Sequence, residues 1–290
     1  MNIILSINGG LGKSIVATAV CSAIKNNYPS CKLYVITGYP DVFSNVDSVD
    51  MAFPHNGEHY FYSKYIENQE YKIFANEPYL ITEHIQGKEH LIETWCKMNG
   101  IAYNGEGLEV NINDREEMYF QNKYTFDKEL MILQTHGGGN QEVKYSWSRD
   151  MPNYLINKII ERYKDKYTIL HIRREDQFGY NFTTPIHETY KGIASLIRRS
   201  SKRVLIDSFC QHLSCALNKK ATVLWISNKP NVFGYSMHDN ILANDETQKP
   251  DLRNALFTKY NIGGALMEYP YKNETDIFDV EKVFDSIDRQ

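Results

Sequence analysis

The chain has little of what would place it outside the ordinary globular class. No run approaches eighteen consecutive apolar residues, the length a helix needs to cross a bilayer, so no membrane span is expected. Cysteine is scarce: Cys21, Cys31, Cys96, Cys210 and Cys215 form an odd, scattered set without a C-x-x-C pair. That pattern argues against a disulfide framework or a thiolate zinc site and fits buried thiols in a reducing compartment. No H-E-x-x-H motif occurs among the nine histidines, which removes the common zinc-hydrolase signature. Neither sign of charge dominates, with 32 Lys+Arg against 36 Asp+Glu and a net charge of -4. A broad basic field for nucleic acid is therefore absent, and only a local patch could serve that purpose. Met1-Asn2-Ile3-Ile4-Leu5 enters a strand-like run at once, without the basic stretch and long apolar core of a signal peptide, so a cytoplasmic location is expected.

What is present is a chain of 290 residues, 42% hydrophobic and 23% charged, long enough for about two domains. The opening reads as strand (2–7), glycine turn (8–12), helix (14–26), and strand (32–37) ended by Gly38. Two strands joined by such a helix form a βαβ unit and hence a parallel sheet. Residues 51–125 are weakly patterned: 71–75 reads as a strand, 83–99 as an amphipathic helix ending at Gly100, and 103–128 as a polar linker. The second half alternates more clearly, with strands over 130–134, 167–172, 203–206 and 222–226, and helices over 152–163, 186–198, 210–217 and 276–287. The expected fold is α/β twice over, with domains 1–125 and 126–290. Ligands of such sheets sit beyond the carboxyl ends of the strands, which directs attention to the loops there.

The first such loop is Asn8-Gly9-Gly10-Leu11-Gly12-Lys13-Ser14. Glycines admit a ligand close to the backbone, and the helix N-terminus offers free N–H groups to an anion. A phosphate loop is one reading, with Lys13 serving an NTPase or small-molecule kinase. The full G-x-x-x-x-G-K-[ST] pattern fails, because Ile7 stands where its first glycine belongs. Asp207 could be a strand-final magnesium aspartate, but it lies almost 200 residues away. A plain tight turn and a substrate-lining loop of another enzyme are the alternatives. The second loop, Asp207-Ser208-Phe209-Cys210-Gln211-His212, also joins a strand to a helix, with Asp207 or Ser208 as a possible cap and His212 in the first turn. A capped core helix with a locally satisfied histidine is the bland reading. His136-Gly137-Gly138-Gly139-Asn140 follows the first strand of the second half, and Arg173-Arg174 closes the next one, as an anion contact or as part of a surface Arg–Glu cluster.

Residues 207–227 resemble the D-S-G-x-x-H-L-A-A-A-L-G-x-P segment and following strand of the heptosyltransferase-like glycosyltransferases (family 9). Residues 231–242 resemble the segment after it, and Leu11-Gly12-Lys13-Ser14-Ile15-Val16-Ala17-Thr18-Ala19 is similar to that family's L-G-D-x-[VIL]-x-x-T-P loop. The matches run in order over 3–50 and 130–242. The resemblance implies a GT-B architecture: two Rossmann-like domains facing across a cleft, here with a shortened 51–125 region. It further implies an inverting, metal-independent transfer of a sugar from a nucleotide diphosphate donor to a hydroxyl acceptor, a glycan or a hydroxylated DNA base. No cofactor is implied beyond the nucleotide sugar itself. Donor contacts carry over to Gly137, Gly138, Gly139, Lys144, Arg173, Asp207, Ser208, Gln211 and His212, with Trp147 nearby, and acceptor contacts to Gly10, Gly12, Lys13 and Ser14.

Absence of a D-x-D triplet agrees with a metal-free donor site. One departure is chemical: Lys13 stands where the family carries an aspartate expected to deprotonate the acceptor. A lysine cannot act as a base unless its pKa is strongly depressed. Asp41, just past the second strand, is the substitute that the sequence offers; Lys13 would instead hold an anionic acceptor. A sugar-nucleotide binder without turnover is a further alternative. Phe209 and Cys210 depart from the family's glycine and following position in the donor loop.

Overall fold

The computed structural model describes residues 1–55, 57–137, 146–260 and 268–290. The chain divides into two compact units. The first comprises Met1–His84 and Glu89–Asn111, and the second Ile85–Lys88 and Ile112–Gln290. The change therefore falls before residue 112, earlier than the seam expected near 125.

In the first unit, strands β1 (Asn2–Ile7), β2 (Lys32–Thr37), β3 (Met51–Pro54) and β4 (Tyr71–Phe74) form one sheet in the order β3-β2-β1-β4. Every pairing is parallel; β1 runs against β2 from Asn2↔Lys32 to Ile7↔Thr37. Helix α1 (Leu11–Asn27) returns the chain from β1 to β2. Its buried positions include Ile15, Val16, Ala19, Val20, Ala23 and Ile24, spread around the helix and not confined to one stripe. A helix apolar on most sides needs cover on most sides. The sheet supplies one cover, and helix α2 (Leu91–Met98), with Trp95 and Cys96 fully buried, supplies another. The stretch 101–111 is fastened along α1: Asn27 bonds Ala102 through both its amide atoms, and the Glu109 N–H donates to Thr18 Oγ1 at 2.9 Å. The single helix expected over 83–99 is instead a short turn, Thr82–Ile85, and α2, interrupted at Gly87 and restarted where His90 Nδ1 accepts from the Ile92 N–H.

The second unit holds β5 (Glu129–Gln134), β6 (Tyr167–Ile172), β7 (Thr184–Ile186), β8 (Lys202–Ile206), β9 (Thr222–Trp225) and β10 (Asp239–Leu242), all parallel, in the order β10-β9-β8-β5-β6-β7. Its longer helices are α3 (Asp114–Lys123), α4 (Asn153–Tyr163), α5 (Tyr190–Arg199), α6 (Phe209–Ala216) and α7 (Val280–Asp288). One core joins Met131 and Leu133 of β5 to Ile156, Ile159 and Ile160 of α4, and to Val283, Phe284 and Ile287 of α7.

Helix α3 falls within the stretch expected to be a linker. Its polar sequence buries only Phe120, so no apolar period marks it. A capping box starts it, with Asn113 Oδ1 accepting from the Glu116 N–H and Glu116 reaching back to the Asn113 N–H. Ion pairs from Lys191 to Glu116 and from Arg198 to Glu117 (3.2 Å) then tie it to α5, which is why it belongs to the second unit. Ile186, expected in a helix, ends β7, and α5 begins after its cap Thr189.

Replacing Asn113 by Ala should lower the free energy of unfolding by about 1 kcal/mol, the usual worth of such a cap. Urea unfolding followed by circular dichroism would show it, and an unchanged midpoint would mean that α3 is held by its ion pairs alone.

Candidate active site

Both sheets reverse their strand order next to their first strand. In the second unit the reversal lies between β5 and β8, and in the first between β1 and β4. Loops leave in opposite directions there and open a crevice at the strand ends, the usual ligand position in such sheets.

At the second unit's crevice, β8 runs into Asp207 and Ser208, and α6 starts at Phe209. Neither residue caps α6 with its side chain, contrary to the expected capping role. Ser208 Oγ accepts instead from Gln134 Nε2 of β5 at 3.2 Å, which locks the two sides of the reversal together. Asp207 is buried and bonded by the Asn228 amide, and its carboxyl is raised above the ordinary range, chiefly by burial. With no side-chain cap, the first-turn N–H groups of α6 and its positive dipole end are offered to an anion. Gln211 is fully buried, and its amide donates to the Phe233 carbonyl at 2.8 Å. His212 stands beside it, with Nδ1 2.7 Å from the Tyr235 hydroxyl. Asp207, Ser208, Gln211 and His212 thus form one cluster.

Gly137 ends β5's loop on the other side of the reversal. Its N–H donates to Asp150 Oδ1 at 2.8 Å, and its carbonyl accepts from Gln177 Nε2 at 3.1 Å. A Cβ at this position would meet the Arg149 side chain, with Nε at 2.8 Å, and would push it aside. Asp150 also accepts from the Ser146 N–H at 2.6 Å. Burial raises the Asp150 carboxyl, opposed by those N–H groups, while burial lowers the neighbouring His136. Thr135 Oγ1 bridges His136 Nδ1 (2.6 Å) and His171 Nε2 (2.7 Å) below the loop. Gly138, Gly139 and Lys144 lie outside the described residues. Arg173 does not extend from β6; its guanidinium folds back onto the carbonyls of Arg174, Glu175 and Gln177 at 2.9–3.1 Å and shapes its own loop.

Beyond the end of β9 a small, partly open depression is lined by Trp147, Ile226, Lys229, Asp245, Gln248 and Tyr271, among others. The sequence signalled only Trp147; the remaining lining comes from segments spread over more than 100 positions. Asn228, which holds Asp207, lies between the lining residues Ser227 and Lys229 and so joins the pocket to the α6 loop.

In the first unit, Gly9 adopts a φ of 118° and Gly10 begins α1, leaving open space where a Cβ would stand. Gly12 lies in the first turn. Ser14 is fully buried, its hydroxyl 3.1 Å from Thr37 Oγ1, so it serves the packing of α1 on β2. Lys13 is turned inward: only 4% of its side chain is exposed, and its ammonium donates to both oxygens of Glu77, at 2.6 and 2.7 Å. It also lies over the rings of Tyr79 and Trp95, at 4.6 and 5.2 Å from their centroids. Burial lowers the Lys13 pKa, against the pull of Glu77. Asp41 sits exposed on the turn Pro40–Phe43 after β2, away from the reversal. Lys13 and Asp207, the pair a phosphate-loop reading would need, belong to different sheets, and the ammonium is already engaged by Glu77. His55 and His59 are spaced like a metal pair, yet among the described residues no three His, Cys, Asp or Glu side chains gather as a metal site.

Two parallel α/β units, each with a strand-order reversal beside its first strand, make a fold of the GT-B kind. In particular, it is similar to E. coli ADP-heptose LPS heptosyltransferase II, with a TM-score of 0.64 and 12% identity over 83% of this chain and 90% of that one. The family 9 glycosyl transferase from Veillonella parvula matches at 0.66 and 11% over 99% and 96% of the two chains. The dodecameric iron-containing heptosyltransferase TibC, of enterotoxigenic E. coli, in complex with ADP-D-β-D-heptose, matches at 0.67 and 11% over 99% and 76%. At these identities the likeness is one of fold. No protein-family model and no curated protein sequence matches the chain. No helix among the described residues is long and apolar enough to cross a membrane.

Burial pushes the His171 pKa down to about 3, helped by the nearby His136, Arg173 and His187. Folded His171 therefore stays neutral while the unfolded chain takes up its proton near 6.5, so this stability is complete above pH 6.5 and lost as the pH falls toward 3. The free energy of unfolding from urea titrations at pH 7 to 4 should decline by up to about 1.4 kcal/mol per pH unit for this group. His171→Gln should flatten that decline, and an unaltered slope would contradict the assignment.

Proposed function

We propose that the protein is an inverting, metal-independent glycosyltransferase that moves a sugar from a nucleoside diphosphate donor to a hydroxyl acceptor. The observation carrying this reading is the α6 loop: an uncapped helix start, His212 and Gln211, placed where the second sheet reverses. Such a site can hold a diphosphate by N–H groups, dipole and imidazole, and can stabilise the charge that develops as the diphosphate leaves. The nucleoside would lie against the segment after β9, beside Trp147. Asp207 would fix the loop through Asn228. Several neighbours of like fold are described as heptosyltransferases, and solved complexes among them contain ADP or ADP-heptose, which supports an ADP-sugar donor here. Inversion follows from the reading of a single displacement at the anomeric carbon. The acceptor, a glycan or a hydroxylated base, would meet the Gly9–Gly10 loop of the first unit.

A thermal-shift series against ADP-heptose and other nucleotide sugars tests this. Donor at 100 times its dissociation constant should stabilise the chain by about 2.7 kcal/mol. His212→Ala should weaken donor binding about tenfold, the loss of one charge-assisted contact. Stabilisation by ATP with magnesium and by no nucleotide sugar would refute the proposal.

A further inference from the structure

The first sheet has its own reversal, between β1 and β4, and one ion pair occupies it. Lys13 enters from the β1 side and Glu77 from the loop after β4. The two members are unequally exposed: 4% of the Lys13 side chain against 30% of Glu77. A pair built for stability gains little from such an arrangement, because desolvating the lysine offsets much of the attraction. The arrangement does fix a carboxylate. The ammonium holds both Glu77 oxygens, the Tyr79 N–H donates to one of them at 3.3 Å, and the rings of Tyr79 and Trp95 confine the ammonium in turn. An ionised carboxylate offers about four lone-pair directions, so these three bonds leave acceptor capacity on the exposed side.

We propose that Glu77 is the catalytic residue that accepts the acceptor's hydroxyl proton, and that Lys13 is the positioning residue that aims it. This rests on the transferase reading above and supplies the base that Lys13 itself cannot be. In the step, the acceptor O–H bond breaks and its proton passes to a Glu77 oxygen. The acceptor oxygen bonds to the anomeric carbon as the bond from that carbon to the diphosphate oxygen breaks, and the electron pair leaves with the nucleoside diphosphate. Glu77 then returns its proton to solvent. Asp41, on an exposed turn after β2, lies off the reversal.

Three proteins, all full-length, separate catalysis from simple charge neutralisation: wild type, Glu77→Gln, and Lys13→Met combined with Glu77→Gln. The readouts are melting temperature, ADP-heptose binding, and ADP release from ADP-heptose with its pH profile. Glu77→Gln should bind ADP-heptose as wild type does yet release ADP at least about 100-fold more slowly, with the acidic limb of the profile gone. It should also melt lower, since a buried lysine loses its partner. The double variant should regain the melting temperature but not the ADP release. Full ADP release by Glu77→Gln, or recovery of release together with stability in the double variant, would make Glu77 a counterion only and overturn this inference while leaving the donor site intact. A wild type that neither binds nor consumes ADP-heptose would overturn the donor-site reading and this one together.

Discussion

Parallel strands cannot be joined by tight turns, and this constraint governs the molecule. Each return must cross a face of the sheet, so both faces are covered and the strands read as nearly continuous apolar runs. In β1, Ile3, Leu5 and Ile7 are wholly buried, and in β8 so are Val204, Leu205 and Ile206. Polar chemistry thereby collects toward the carboxyl ends of the strands, as with Gln134 of β5 and His171 of β6. There the reversal of strand order leaves room between diverging loops. The α6 loop and the Lys13–Glu77 pair occupy equivalent places in their two sheets for this one reason.

The polar floor of the second site shows what burial demands. Thr135 shares its hydroxyl between His136 and His171, and Asp150 gathers the N–H groups of Gly137 and Ser146. Burial drives both histidines toward the neutral form and raises the Asp150 carboxyl, so the network holds its shape with little net charge. The positive end of α6 and the guanidinium of Arg149 beside Asp207 then supply positive field for an incoming diphosphate. The first site differs. A charged pair is kept there at the cost of desolvating a lysine, and in the proposed mechanism that cost is offset by a carboxylate held in one orientation.

Much of this was legible in the sequence where signals were local. The β1–glycine turn–α1 unit, the α6 loop, and the alternation of strands and helices in the second half all rest on spacings within about 20 residues. The likeness to family 9 glycosyltransferases stated from residues 3–50 and 130–242 has its counterpart in the shared fold. The misses share a cause. Helix α3 has no apolar stripe because charge pairs hold it, and only the Asn113/Glu116 capping box announced it. The helix expected over 83–99 breaks because its residues belong to two different units. Glu77 was invisible because its partner is 64 positions away, and nothing in its local sequence marks it over other carboxylates. The pocket beside β9 draws its walls from Trp147 to Tyr271, a closure that only the fold makes.

The account's central claim is that a nucleotide sugar is held on the second unit by the α6 loop. Hydrogen exchange of the full chain, measured by mass spectrometry with and without ADP-heptose, addresses it directly. Slowed exchange confined to residues 207–212 and to the 226–235 segment beside the pocket is the predicted result. Protection of residues 9–14 by ATP with magnesium, with none at 207–212 from ADP-heptose, would contradict it.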